Sequence, residues 1–338
     1  MALTTEDVAS ILEAELRSVQ DSAGPLSGLQ RLSSGANNET WTFDWGDSPL
    51  ILRRRPFSVE ESVAAGAIDE LGLALGVEAQ VLRLAHEAGV QAPEVVVGFD
   101  QHHALGESYV MERLPGEALP LRWLSSPDYA EAREQLAYQC GVSLARVHTI
   151  DTARLPDAVS RLPLEARFAE IQKTLTDAGH LSPALQLGLN WLIDHAPDPE
   201  DMVLLHGDFR TGNILVDAQG LSGVLDWELA HCGYVAADLG YLCTPVWRFG
   251  QLDQPVGGFG QYADLLAGYK SVAGWAPEVS TIRYWEIFAA LSWGLVCLTM
   301  GRLWQSGGDR DVERAAVARR RSEAELDLLL LIEAWSDD

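Results

Sequence analysis

Two segments decide the fold of this chain: Leu204-Leu-His-Gly-Asp-Phe-Arg-Thr-Gly-Asn-Ile-Leu-Val216 and Val224-Leu-Asp-Trp-Glu228. The apolar residues around them predict short buried strands at Met202–Leu205, Ile214–Val216 and Leu221–Leu225. Asp208, Asn213 and Asp226 then lie where strands end, on rigid elements. Phosphoryl transfer from a metal–nucleotide needs one carboxylate to deprotonate a hydroxyl, together with oxygen ligands for Mg²⁺. The three side chains supply both.

The order Asp-x-x-x-x-Asn, with a second Asp closing a later strand, assigns roles to these residues. Asp208 is the predicted catalytic base, and Asn213 and Asp226 are the predicted Mg²⁺ ligands. A buried polar turn capped by Asp and Asn would use the same residue types, but the joint pattern favours the catalytic interpretation. Arg210 is also a catalytic candidate. It either stabilises charge on the transferred group or pairs with a carboxylate of the loop.

The combined pattern resembles the aminoglycoside phosphotransferase-like family of small-molecule kinases. His206-Gly207 stands where protein kinases have His-Arg, and Asp-Trp-Glu replaces Asp-Phe-Gly. The resemblance implies an α+β, protein-kinase-like bilobal fold, with an N-terminal, mostly antiparallel sheet lobe and a larger helical C-terminal lobe. It also implies ATP and Mg²⁺ as cofactors. We expect His206 to brace the catalytic loop, and Asp238 resembles a structural Asp of this family.

A small-residue segment, Ser33–Thr40, lies between two strand-like segments near the start of the predicted sheet. Its small side chains would let backbone N–H groups approach phosphates, although an ordinary β-turn would use the same residues. The segment resembles the nucleotide loop of the family. The predicted nucleotide-binding residues here are Ser34, Gly35, Asn37 and Asn38.

The following strand, Leu50–Arg55, carries Arg53 where the wider family has a phosphate-binding Lys. On a pleated strand Arg53 shares a face with Ile51, so it is the predicted phosphate cation. Glu78, on the next helix, resembles the partner of that cation in kinases; the alternative is a surface glutamate. Met111 through Arg113 resemble the inter-lobe hinge, whose backbone groups would meet adenine.

The order of elements predicts two lobes. Strands and one main helix precede the turn Glu112–Glu117, and long amphipathic helices dominate afterwards. We therefore expect a nucleotide-binding lobe at residues 1–113 and a helical lobe, with the catalytic loop and acceptor site, at residues 114–338.

Charge and composition limit the partners. The 338 residues include 49 acidic and 24 basic side chains, giving a formal charge of -25. That charge opposes binding to nucleic acid or anionic membrane and allows cationic substrates. Four scattered cysteines and an N-terminus without a signal-peptide pattern predict a cytoplasmic protein. The longest uncharged run, Ile287–Gly301, is too short to cross a bilayer, so we expect a buried helix there.

The acceptor is predicted to be a small molecule with a hydroxyl group, because about a dozen residues separate Asp226 from Asp238 and leave no room for a long activation loop. Trp247–Gly250 and Glu313–Leu329 resemble the kinase domains associated with acyl-CoA dehydrogenases, which implies a hydroxyacyl-CoA acceptor. Two alternatives remain open. One is an aminoglycoside or related antibiotic kinase, and the other is a catalytically weak pseudokinase.

Overall fold

Five antiparallel strands form the N-terminal sheet of the protein. A computed structural model describes residues 3–19, 24–34, 38–55, 72–178, 182–307 and 312–336. The strands of the sheet are β1 (Leu26–Ser34), β2 (Glu39–Trp45), β3 (Ser48–Arg54), β4 (Val95–Phe99) and β5 (Ser108–Glu112). They lie in the spatial order β1-β2-β3-β5-β4, with all neighbouring pairs antiparallel.

The two faces of this sheet have different partners because side chains alternate along each strand. One face packs Trp41, Phe43 and Leu52 in a core shared with helix α1 (Thr5–Val19). The opposite face carries Arg53, in register with Tyr109 of β5, and packs against helix α2 (Leu75–Glu87). The prediction that Arg53 shares a face of the strand with Ile51 is confirmed, because both line the same side of the sheet, opposite Leu52.

Helices make up most of the chain after β5. They are α3 (Pro120–Ser125), α4 (Ala130–His148), α5 (Leu164–Asp177), α6 (Pro183–Asp194), α7 (Val235–Cys243), α8 (Tyr262–Ala273), α9 (Val279–Ser306), α10 (Val312–Arg319) and α11 (Arg321–Ser336). Two small antiparallel pairs lie among them. Strand β6 (Val203–Leu205) pairs with β9 (His231–Gly233), and β7 (Ile214–Asp217) pairs with β8 (Gly220–Val224). The predicted α+β class, sheet first and helices afterwards, is confirmed.

The end of the chain differs from the prediction in two ways. The helical pattern over residues 312–335 predicts one helix, but the structure has a break after Arg319, where the N–H of Arg320 donates to the carbonyl of Val317. The helix around Ile287–Gly301 runs to 28 residues, so the argument that it is too short for a membrane is wrong. By length and composition α9 could cross a bilayer. Half of its most apolar stretch is nevertheless buried, as expected for a core helix.

Candidate active site

A cavity of about 810 Å³ lies between the sheet and the helical part of the chain. Its volume falls within the range of small-molecule sites. Seven of the predicted residues line it: Asn38, Arg53, Glu78, Met111, Arg113, Asn213 and Asp226. Of the other nucleotide-loop predictions, Ser34 ends β1, while Gly35 and Asn37 lie outside the described residues.

Arg53 is the centre of an ion-pair cluster in this cavity. Its guanidinium lies 3.2 Å from Glu78, 3.3 Å from Asp226 and 3.1 Å from Glu228. The Glu78 side chain is only 1% exposed, so the surface interpretation of Glu78 is wrong. The structure thus brings together the predicted cation, its predicted partner and a predicted metal ligand.

One guanidinium shared by three carboxylates leaves an excess of negative charge. Burial opposes the charged form of Arg53, but the surrounding anions outweigh it and hold the pKa of Arg53 above its ordinary value. Burial raises the pKa of Glu78 to about 7, although the charge of Arg53 opposes the rise. The cluster therefore contains a carboxyl group that takes up a proton at higher pH than an exposed glutamate does.

The catalytic loop is held by hydrogen bonds to a buried carboxylate. Asp238 of α7 accepts from the N–H of His206 at 2.7 Å and from the N–H of Gly207 at 3.0 Å. The Nε2 atom of His148 lies 3.3 Å from the same carboxylate. Burial would raise the pKa of Asp238, but these hydrogen bonds and the nearby histidines hold it below its ordinary value. Asp238 is thus placed to fix the turn that presents Asp208.

His206 braces the loop from the other side. Its Nδ1 accepts from the N–H of Asp208 at 3.2 Å, so its Nε2 carries the proton and donates to the carbonyl of Leu225 at 3.1 Å. Burial lowers the pKa of His206, although nearby carboxylates oppose this. A neutral ring with both nitrogens occupied suits the predicted bracing role.

Gly207 makes the tight turn possible. Its φ of 81° lies in the left-handed region, and a Cβ there would overlap the carbonyl oxygen of Leu229. Only glycine fits this position without displacing the backbone beside the catalytic loop.

The Asp208 carboxylate is buried and already partnered. The Nε of Arg210 lies 3.1 and 3.2 Å from its two oxygens, and the Asn213 amide nitrogen donates to it at 2.5 Å. Burial raises the pKa of Asp208, and the charge of Arg210 opposes the rise. Of the two alternatives for Arg210, the structure contains the pairing with a loop carboxylate. Its guanidinium also stacks 4.8 Å from the ring centre of Trp247.

The predicted metal ligands lie on adjacent segments. The N–H of Leu225 donates to the Asn213 carbonyl at 2.8 Å, which ties the segment of Asp226 to the catalytic loop. Because the Asn213 amide nitrogen donates to Asp208, its side-chain oxygen remains available as a ligand. Asp226 has a φ of 67°, a strained conformation typical of functional sites. Two oxygen donors in one cavity wall fit Mg²⁺.

The hinge segment offers fewer free backbone groups than expected. The N–H of Glu112 donates to the Glu94 carbonyl, and the N–H of Arg113 donates to the Pro49 carbonyl. Those two donors are already used by the protein. Adenine pairing at this segment therefore stays a prediction, and carbonyl oxygens are the groups available for it at these two residues.

Sequence reasoning missed four residues at the site. Glu228 and Tyr109 line the cavity, while Tyr241 interacts with Asp208 and Trp247 supports Arg210. Glu228 belongs to the quoted motif, and its spacing from Asp226 was the available signal. Tyr109 could have been found from the pairing of β3 with β5. No local pattern pointed to Tyr241.

A family model described as a phosphotransferase enzyme family matches residues 28–275. The chain belongs to this phosphotransferase family. The match includes the nucleotide segment, the catalytic loop and the Asp-Trp-Glu motif. It confirms the family prediction and shows that the chain is a phosphotransferase.

The sequence of a related protein supports this assignment. Acyl-CoA dehydrogenase family member 11 of Gallus gallus is 30% identical over 231 residues, covering 66% of this chain and 28% of that protein. This chain therefore spans little more than a quarter of that relative. The similarity confirms the predicted branch.

Two solved structures confirm the predicted kinase-like fold. One is assigned to an aminoglycoside phosphotransferase from Ralstonia eutropha JMP134, with a TM-score of 0.74 and 20% identity, covering 96% of this chain and 98% of that chain. The other is a thermostable mutant of aminoglycoside phosphotransferase APH(4)-Ia in complex with AMP-PNP and hygromycin B. Its TM-score is 0.61 at 16% identity, with 95% and 98% coverage.

Proposed function

We propose that this phosphotransferase moves the γ-phosphate of Mg-ATP to a hydroxyl group of a hydroxyacyl-CoA. The observation that carries the proposal is the joint position of Asp208, Asn213 and Asp226 beside the Arg53 cluster. These groups supply a base, two metal ligands and a phosphate cation within a connected network. Phosphoryl transfer depends mainly on such positioning and charge stabilisation.

Each side chain has a separate part in the proposed reaction. Asp208 orients the acceptor hydroxyl and takes its proton, which its raised pKa favours. Asn213 and Asp226 would hold Mg²⁺, which would supply positive charge to neutralise the phosphates. Arg53 contacts the phosphates and has a fork geometry suited to two oxygens.

The acyl-CoA acceptor is supported by the relative rather than by the cavity. The name of the Gallus gallus protein links that relative to acyl-CoA dehydrogenases. The short spacing between Asp226 and Asp238 also favours a small acceptor over a protein. These two observations favour a small acyl-CoA acceptor over a protein acceptor.

An aminoglycoside acceptor is the second candidate. APH(4)-Ia binds hygromycin B in the related structure. The formal charge of -25 would attract a polycation. The two candidates therefore require acceptors of opposite charge, and a single panel separates them.

The test is ADP release from Mg-ATP by purified protein with hydroxyacyl-CoAs, hydroxylated metabolites and aminoglycosides. Turnover on hydroxyacyl-CoAs is expected, and Asp208→Asn should abolish it while ATP binding persists. Turnover only on aminoglycosides would replace the acyl-CoA proposal. ATP binding without turnover on any acceptor would support a pseudokinase, and full activity in Asp208→Asn would refute the assignment of the base.

A further inference from the structure

Arg167 of α5 lies beside the catalytic loop and is absent from the residues lining the nucleotide cavity. Its Nη1 is 3.5 Å from Nε2 of His231. His231 pairs with Leu205 across the β6–β9 ladder, and a Cβ on Gly207 would lie 3.0 Å from its Nδ1. Through His231, Arg167 is therefore held next to the turn that presents Asp208.

Tyr241 provides a second, independent link between Arg167 and the base. The Tyr241 phenol interacts with the Asp208 carboxylate and is also within electrostatic range of Arg167. The ring of Tyr241 lies 5.7 Å from that of Trp247, over which Arg210 stacks. Arg167 and Arg210 thus share Tyr241 as a neighbour, and of the two cations Arg210 is the one that contacts the Asp208 carboxylate.

The charge of Arg167 is poorly compensated. Among the described residues, no carboxylate lies within ion-pair distance of its guanidinium, although Glu170 interacts with it at longer range. His231 is neutral near pH 7, because burial and then Arg167 lower the pKa of that ring to about 4. The partly buried guanidinium packs 4.7 Å from the ring centre of Phe288. A cation in such surroundings gains most from an added anion.

The charge of Arg210 is already used. Both oxygens of Asp208 contact its Nε, so the surplus positive charge at this end of the loop is that of Arg167. This surplus is local, because the whole chain carries a formal charge of -25 and repels anions. A site for an anionic acceptor in this protein requires such a local cation.

We propose that Arg167 is a specificity-determining residue that binds an anionic oxygen group of the acceptor while the acceptor hydroxyl faces Asp208. The group is a carboxylate or a phosphate, either of which fits the guanidinium fork. This inference rests on the proposed kinase function and extends it to a residue that selects the acceptor.

Calorimetric binding to protein saturated with Mg-ADP tests the inference without requiring turnover. One pair of probes is 3-hydroxybutyrate and 3-hydroxybutyramide, which differ in the carboxylate. The other is 3-hydroxybutyryl-phosphopantetheine and 3-hydroxybutyryl-pantetheine, which differ in one phosphate. Wild-type protein should prefer the charged member of one pair by about tenfold or more. The pair that shows the preference identifies the source of the anion.

The variant Arg167→Gln should remove this preference and leave binding of the neutral member unchanged. Arg302→Gln removes the same charge from an exposed position on α9 and should keep the preference. If Arg167→Gln does not fold, Arg167→Lys decides, because an ammonium group lacks the fork and should weaken the preference at least about threefold.

Three results would overturn the inference: no preference in either pair, a preference retained in Arg167→Gln, or an unchanged preference in Arg167→Lys. Failure of the proposed function looks different. It appears as absent ADP release, or as turnover that survives Asp208→Asn, whatever the binding preference for charged probes.

Discussion

Replacing Arg53 with glutamine should reduce the free energy of unfolding of the nucleotide-free protein by about 2–3 kcal/mol at pH 8. The variant removes the only cation within 4 Å of Glu78 among the described residues. Glu78 is 1% exposed, so without Arg53 it must either ionise without a partner or take up a proton. The pairs with Asp226 and Glu228 contribute less, about 0–1 kcal/mol each, because those side chains are 36% and 41% exposed.

The loss should depend on pH in a defined direction. Burial already raises the pKa of Glu78 to about 7, from 4.5 in an unfolded chain, and removal of Arg53 raises it further. Between these values, the folded state binds more protons than the unfolded state, so stability falls as pH rises. At pH 5.5 Glu78 is protonated in both the wild type and the variant, so the loss should shrink by about 1.4 kcal/mol at most, to about 1 kcal/mol.

Urea unfolding at pH 5.5 and pH 8 measures both effects. The matched control is Arg55→Gln, because Arg55 is 43% exposed and 3.9 Å from Glu107; it should change stability by under about 0.5 kcal/mol. The double variant Arg53→Gln/Glu78→Gln should recover most of the loss at pH 8. A loss below about 1 kcal/mol, an equal loss at both pH values, or no recovery in the double variant would refute the reasoning.

Three further predictions concern the catalytic loop and the metal site. Asp226→Asn, which tolerates the positive φ, should weaken ATP binding in Mg²⁺ at least about tenfold by calorimetry; an unchanged affinity would exclude Asp226 as a ligand. Asp238→Ala removes the acceptor of the N–H groups of His206 and Gly207. It should reduce the free energy of unfolding in urea by about 3 kcal/mol, and a loss below about 1 kcal/mol would contradict this prediction. Gly207→Ala should reduce the free energy of unfolding in urea clearly more than Gly250→Ala does. Gly250 also has a positive φ, but its Cβ would meet nothing within 4 Å, so Gly250→Ala should cost about 1 kcal/mol. Equal losses in the two variants would count against a backbone clash at Gly207.

The predictions that agree with the structure depend on short-range regularities of the sequence. The spacing of Asp208 and Asn213 within one turn between two strands is local, and so is the alternation that directs Arg53 away from the α1 core. Such features repeat with the period of a strand or a helix, so residue types alone reveal them.

The elements that were missed lack a distinctive period. Helix α7 is apolar along most of its length, so no amphipathic pattern marks it. The break between α10 and α11 lies at Arg320, where the chain contains neither Gly nor Pro. Both α10 and α11 pack against α9, and packing rather than local propensity accounts for a break at such a position.

The sequence by itself predicted the residues for the phosphotransferase chemistry and determined that Arg53 shares a face of β3 with Ile51. Only the tertiary structure decided their surroundings: the link of Arg53 to Glu228, 175 residues away, and the position of Arg167 next to the catalytic turn. Periodicity sets the direction of a side chain relative to its own backbone. The neighbours it meets, and therefore its pKa and its free charge, depend on how distant elements pack.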